Sequence, residues 1–299
     1  MNITLTGASG FLGTRLIRRL LRDGHTLHVL GRSRSPSLPP AVWFTEWDAV
    51  KQPAPKASLS DADAVIHLAG EPVAQRWNSE VKQRILDSRK IGTRNLVRGL
   101  ADAAQRAPVL VSASASGYYG DRGDETLVED SGPGRGFLPE VCLEWEQQAL
   151  NAETMGIRVA TVRIGIVLGK EGGALAQMLP AFKMGAGGRL GSGRQWMSWI
   201  HADDLIELFI FAIMRDNVAG AVNGVSPNPV RNADFTAALA RVLHRPAIFA
   251  VPRLALKVLF GEMGGIVLGS QKILPKAAEG AGFRFRYPEI TEALTNLLA

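Results

Sequence analysis

The sequence predicts an α/β fold, a doubly wound parallel sheet joined to a smaller, mostly helical C-terminal lobe, and three observations predict it. Short apolar or β-branched runs at 3–6, 27–30, 64–68, 109–113 and 158–164 alternate with helical spacing at 11–22, 79–105 and 139–154. Such alternation lays a helix on the sheet at each crossover, so both faces of a parallel sheet are covered. After Gly165 the pattern changes: glycines crowd 185–193, a helix is expected from near Asp203 and Asp204, and 221–225 reads as one more strand. From Pro227 onward the spacing is mostly helical, with candidates at 232–243, 252–260 and 290–298. The expected division is residues 1–165 plus 201–225 for the sheet domain and 166–200 plus 226–299 for the lobe.

Composition sets outer limits. The 299 residues are 46% hydrophobic and 21% charged, which suits one large α/β domain or two interleaved ones and excludes global disorder. A single cysteine, Cys142, cannot form an internal disulfide and fits a reducing compartment. No secretory pattern opens the sequence, and the longest apolar stretch, 208–214, is too short to cross a bilayer, so a cytoplasmic protein without a membrane partner is expected.

The net charge of +6 invites a nucleic-acid reading, but its distribution argues against one. Residues 121–153 hold nine acids and two arginines, so this segment is −7 and the remainder +13. Arg15, Arg18, Arg19 and Arg22 share one side of a helix, with Leu12, Leu16, Ile17, Leu20 and Leu21 opposite. No aromatic side chains interleave with them, so they read as the polar face of a helix packed on a sheet, and no nucleic-acid partner is expected.

The sharpest local signal is the run Gly7, Ala8, Ser9, Gly10, Phe11, Leu12 and Gly13, between the first strand and the first helix. Glycines there permit a tight turn, close approach of a pyrophosphate to the backbone, and close packing of helix on strand, while the helix start offers free N–H groups. The pattern predicts a Rossmann-like dinucleotide site. At the end of the second strand an NAD site usually carries an acid for the ribose 2′-hydroxyl; here Leu30 is followed by Gly31, Arg32, Ser33 and Arg34. A guanidinium can pair a 2′-phosphate through two hydrogen bonds, so NADP(H) is the expected cofactor, with Arg32 as principal ligand and Ser33 beside it.

These residues resemble the extended short-chain dehydrogenase/reductases of the NAD-dependent epimerase/dehydratase branch, together with His67-Leu68-Ala69-Gly70 and Trp199-Ile200-His201-Ala202-Asp203-Asp204. Further runs are similar to the YfcH-like epimerase family: Leu68 to Pro72, Ser88-Arg89 with Gly92-Thr93, Gly117-Tyr118-Tyr119-Gly120, Arg163 to Gly169, Gly172 to Leu175, and Asn223 to Val230. The region from about Ser226, including Phe260-Gly261-Glu262-Met263 and Gln271-Lys272, resembles that family's C-terminal domain of unknown function. The resemblance implies that Asp48 reaches adenine from the end of the third strand. It further implies that Leu68, Ala69 and Gly70 border a ribose, that Ser112 to Ser114 line the nicotinamide side, and that a homodimer forms through 79–105 and 139–154.

The resemblance also implies hydride chemistry on a hydroxyl or carbonyl, normally run by a Tyr-x-x-x-Lys dyad on one helix face. The chain has three tyrosines, and four residues after Tyr118, Tyr119 and Tyr287 stand Arg122, Gly123 and Thr291. The dyad is absent. Aligned on Glu146, its places are held by Leu138 and Cys142. Candidate catalytic residues are therefore Ser114, Tyr118, Tyr119 and Glu71, the last equally readable as an anchor for its loop. Trp77, Met178, Met184, Trp196 and Trp199 could line an apolar substrate wall. No metal site is expected, because the five histidines are scattered. Two functional readings stand at this point: an NADP(H)-dependent oxidoreductase or epimerase acting on an unknown small molecule, and a non-catalytic NADP(H)-binding sensor or cell-division-related interaction protein.

Overall fold

The computed structural model describes residues 1–103, 107–252, 254–256 and 261–299. Its elements run β1 (Asn2–Thr6), α1 (Phe11–Arg22), β2 (Thr26–Gly31), β3 (Trp43–Glu46), β4 (Ala64–His67), α2 (Ser79–Ala101), β5 (Val109–Ala115), β6 (Thr126–Leu127), α3 (Phe137–Leu150), β7 (Arg158–Ile164), β8 (Ile166–Leu168) and α4 (Gly173–Lys183). They continue as β9 (Gly188–Leu190), β10 (Trp196–Met197), β11 (Trp199–His201), α5 (Ala202–Met214), β12 (Gly220–Gly224), β13 (Val230–Arg231), α6 (Asn232–Leu243) and β14 (Phe249–Val251). A last helix covers Ile290–Leu298. The expected ends of two helices, 104–105 in one and 253 with 257–260 in the other, lie outside the described residues.

Seven strands form one parallel sheet in the order β12-β7-β5-β4-β1-β2-β3. The chain builds outward from β1 through β2 and β3, then returns to β4 and builds the other way. The carboxyl ends of β1 and β4 therefore flank the point where the winding reverses, where doubly wound sheets open a crevice. The sheet is the Rossmann-like one that the strand–helix alternation predicts.

One face is covered by α1 and α5, whose Leu16, Ile17, Leu20, Leu205, Leu208 and Phe209 are buried against Ile3, Leu5, Val111 and Val162. The arginine stripe of α1 serves this junction. Arg15 reaches Asp203 at 2.9 Å, and Arg19 donates to both carboxylate oxygens of Glu207 at 2.7 and 3.1 Å. On the other face, α2 and α3 cover Leu30, Val65, Leu110 and Val159 through Leu96, Leu100 and Ala149.

The C-terminal part has its own apolar centre, in which Leu175, Leu179 and Phe182 of α4 meet Phe235 and Leu239 of α6 and Leu294 of the last helix. Residues 270–274 strap this part onto the loop after β5. Gln271 Nε2 donates to Ser116 O and Gly120 O, both at 2.9 Å, and Ser270 Oγ donates to Gly123 O at 2.6 Å. Lys272 and Ile273 pair in parallel with β6.

Candidate functional site

The glycine-rich turn is packed as tightly as its sequence requires. A methyl group on Gly13 would lie 2.3 Å from Gly7 O, and one on Gly7, whose φ is +72°, would lie 2.6 Å from the carbonyl carbon of Leu68. The turn leaves the first N–H groups of α1, on Phe11, Leu12 and Gly13, without partners in the helix. Phe11's ring packs away from the turn, against Gly169 and Gly172.

In front of the turn lies a cleft of about 630 Å³. Of the residues singled out from the sequence, Gly7, Ala8, Ser9, Gly10, Arg32, Ser33, Asp48, Leu68, Ala69, Gly70 and Glu71 line it. Arg18, Ser35, Ser37, Leu38 and Pro39 line its outer end as well. Arg18 escaped sequence reading because helical spacing assigned it to the same polar face as Arg15 and Arg19. Arg34 is occupied elsewhere, donating to Val42 O and Pro39 O at 3.2 Å and closing the loop after β2. Arg32 is exposed and, among the described residues, has no ion-pair partner. Asp48 lies two residues beyond β3, caps the following turn through Val50 N at 3.1 Å, and pairs with Lys51. The cradle, the free helix-start donors and the cleft volume together fit a dinucleotide.

The inner wall is set by a buried histidine. Thr6 Oγ1 accepts from Leu68 N and Ala69 N, both at 3.2 Å, so its own proton is directed to His67 Nδ1 at 2.7 Å. His67 therefore carries its proton on Nε2 and donates to Thr93 Oγ1 at 3.0 Å. Burial, with Arg89 nearby, lowers its pKa to about 4. Glu71 follows this wall at the cleft, with Oε1 accepting from Gln75 at 3.3 Å and 3.7 Å from Arg84 Nε.

Beyond β5 lies a buried polar network that holds several of the candidate residues. Ser112 is fully buried, donates to Ala113 O at 3.2 Å and is not among the residues that line the cleft. Ser114 donates to Glu146 Oε1 at 2.6 Å, and Arg163 binds the same carboxylate through Nε and Nη2, each at 2.8 Å. Arg163 Nη1 donates to Tyr119 OH at 3.0 Å, while Tyr119 OH donates to Asn223 Oδ1 at 2.7 Å. Tyr119 is fully buried, and burial pushes its hydroxyl up to about 12 against the pull of Arg163. That is the wrong direction for a proton donor near neutrality. Tyr118 differs: its ring is buried with the Arg163 guanidinium carbon 3.5 Å from its centroid, yet its hydroxyl has no hydrogen-bond partner among the described residues and is not sealed from solvent.

Leu138 and Cys142 pack against Gly117, where a methyl group would lie 3.3 Å from Leu138 and 3.7 Å from Cys142 Sγ. Cys142 is free and buried, and burial beside Glu146 pushes its thiol up to about 12. Of the residues expected on a substrate wall, Trp199 is instead fully buried in the C-terminal centre, where Nε1 donates to Asn228 O. Trp77 packs edge-on to Phe137 at 5.1 Å, Met184 is exposed, and Trp196 lies near the cations of Arg231 and Lys272, 4.3 and 5.1 Å from the centre of its ring. Among the described residues no group of three or more His, Cys, Asp or Glu could hold a metal ion, and no helix is long and apolar enough to cross a membrane.

The sheet order, the glycine turn and the crevice define a nucleotide-binding α/β protein. Residues 3–223 match the model of the NAD dependent epimerase/dehydratase family, and 251–297 match a domain of unknown function, DUF1731. The chain belongs to that epimerase/dehydratase family. It is 44% identical over 302 residues to the epimerase family protein SDR39U1 homolog, chloroplastic, of Arabidopsis thaliana, covering all of this chain and 87% of the relative. It is 38% identical to the epimerase family protein YfhF of Bacillus subtilis, covering all of this chain and 98% of the relative. The crystal structure of human epimerase family protein SDR39U1 (isoform 2) with NADPH superposes with a TM-score of 0.89 at 30% identity, covering 99% of each chain.

Proposed function

We propose that this protein is an NADP(H)-dependent oxidoreductase or epimerase that exchanges hydride with a small hydroxyl or carbonyl compound. The observation that carries the reading is the outer end of the cleft, where β2 ends at Gly31 and Arg32 and Ser33 follow with no carboxylate in the run, and where Arg18 adds a second cation. A 2′-phosphate would find two cations and several hydroxyls there; a bare 2′-hydroxyl would find no carboxylate acceptor at that strand end. The human relative whose structure contains NADPH supports the same choice.

In this reading Gly7, Ala8, Ser9, Gly10, Phe11, Leu12 and Gly13 hold the pyrophosphate through backbone N–H groups, Asp48 borders the adenine, and Leu68 to Gly70 border the inner ribose. Bound there, the cofactor supplies or accepts hydride. Tyr118 carries the proton, because its hydroxyl is the unengaged one of the pair, and Glu71 at the cleft edge is the second acid/base candidate. Ser114 and Tyr119 act through the loop, as positioning residues. The cofactor-binding unit is 1–165 plus 201–225, the substrate-side lobe is 166–200 plus 226–299, and a second copy pairs through α2 and α3, where Leu143 is exposed.

The test is titration of purified protein with NADPH and NADH, followed by assays of wild type and Tyr118→Phe for NADPH oxidation across a carbonyl library and for inversion of hydroxyl-bearing compounds in the presence of NADP⁺, read by NMR. Tighter NADPH binding and turnover lost in Tyr118→Phe are expected. Tighter NADH binding overturns the cofactor choice; NADPH binding without any turnover makes the protein a cofactor sensor.

A further inference from the structure

A cation lies against Gly70, on the inner wall of the cleft. Arg89 projects from α2 toward the exit of β4, and its guanidinium is fixed in plane. A methyl group on Gly70 would lie 3.1 Å from its Cζ and 3.2 and 3.3 Å from its two Nη atoms, so Gly70 sits over the flat face. The guanidinium also lies 4.8 Å from the centre of the Trp145 ring. One nitrogen, Nη1, is tied to Glu71 O at 3.0 Å, to Ile85 O at 3.2 Å and to Ser88 Oγ at 3.4 Å. Ser88 Oγ in turn accepts from Glu71 N at 2.9 Å, so the Ser88-Arg89 pair holds both backbone groups of Glu71.

The remaining donors are unspent. Among the described residues Nε and Nη2 have no acceptor, neither atom is sealed from solvent, and no carboxylate forms an ion pair with Arg89. Glu71 offers it a carbonyl and turns its carboxylate toward Gln75 and Arg84. Both donors are therefore open to exchange water for the oxygens of a ligand.

We infer that Arg89 replaces the missing dyad lysine as the cation on the nicotinamide side, donating from Nε and Nη2 to the inner ribose of the cofactor. The role moves from α3 to α2, and from an ammonium to a guanidinium held flat between Gly70 and Trp145. A fixed positive charge there disfavours the cationic oxidised nicotinamide relative to the neutral reduced ring, so the site binds NADPH more tightly than NADP⁺. The inference rests on the cofactor reading above.

The experiment measures binding of NADPH, NADP⁺ and 2′,5′-ADP to wild type, Arg89→Gln and Arg89→Lys by calorimetry. 2′,5′-ADP carries the 2′-phosphate but lacks the nicotinamide half. Arg89→Gln is expected to weaken NADPH by about tenfold or more, the loss of charge-assisted hydrogen bonds. It should leave 2′,5′-ADP within about twofold and narrow the preference for NADPH over NADP⁺; Arg89→Lys should restore part of that preference. Wild-type NADPH affinity in Arg89→Gln overturns the inference. An equal loss of NADPH and 2′,5′-ADP also overturns it, by making Arg89 a part of the fold alone. Wild type binding neither ligand would overturn the cofactor reading itself and the Arg89 role with it.

Discussion

Arg163 and Glu146 meet in a double hydrogen bond, Nε to Oε1 and Nη2 to Oε2, with side-chain exposures of only 5% and 7%. The pair joins β7 to α3 and carries Ser114 and Tyr119 with it. Removing one partner leaves the other charge buried and unpaired, so Glu146→Gln should cost about 3–5 kcal/mol, read from chemical denaturation. Tyr119→Phe removes one neutral node and should cost about 1–3 kcal/mol.

Stability should fall with acidity through His67. Its folded pKa of about 4 lies below the ordinary 6.5, so the native state favours the neutral ring and the unfolded chain binds the proton first. Its contribution is complete above pH 6.5 and is lost as pH falls toward 4, about 2 kcal/mol by pH 5. Denaturation curves for wild type and His67→Gln should diverge at neutral pH and converge in acid.

Gly13→Ala should abolish dinucleotide binding. Its methyl group would lie 2.3 Å from Gly7 O and 2.7 Å from the Cα of Ala8, both backbone atoms that cannot rotate away. Gly24→Ala, where nothing stands within 4 Å but φ is +79°, should cost only about 1 kcal/mol and leave titrations unchanged.

Arg32→Ala should reduce NADPH affinity by about tenfold while changing NADH affinity little, as expected for a guanidinium facing a phosphate. Arg34→Ala should act through the loop, since Arg34 bonds to Val42 O and Pro39 O; its measurable effect should fall equally on both cofactors.

The parts of this fold legible in the sequence were those fixed by local chemistry. The glycine turn sits where β1 meets α1, and α6 and the last helix begin and end where their spacing predicts. Helix α4 was hidden because glycines flank it and Pro180 interrupts it; it forms because Leu175, Leu179 and Phe182 are buried against α6. Two-residue strands such as β6 and β10 have no periodicity to read and exist only through their partners. At the site, Tyr118 and Tyr119 are adjacent and chemically identical in sequence. Only the packing of β7, β12 and α3 separates them, giving one a full set of partners and leaving the other's hydroxyl unengaged. Arg89 belongs to a motif legible in the sequence, but its surroundings depend on a helix and a sheet edge that meet only in the fold.

The strap at 270–274 has a consequence for biosynthesis. Gln271 closes onto the carbonyl of Gly120, 151 positions earlier in the chain, and Asn223 in the central sheet awaits the carbonyl of Leu274. On the ribosome the sheet can assemble well before these partners emerge. The tyrosine loop must then wait, its carbonyls bonded to water, until the last tenth of the polypeptide is made. A nascent chain thus acquires its glycine turn early and the bonds of its tyrosine loop last, so a truncated product would complete the sheet before it could fix that loop.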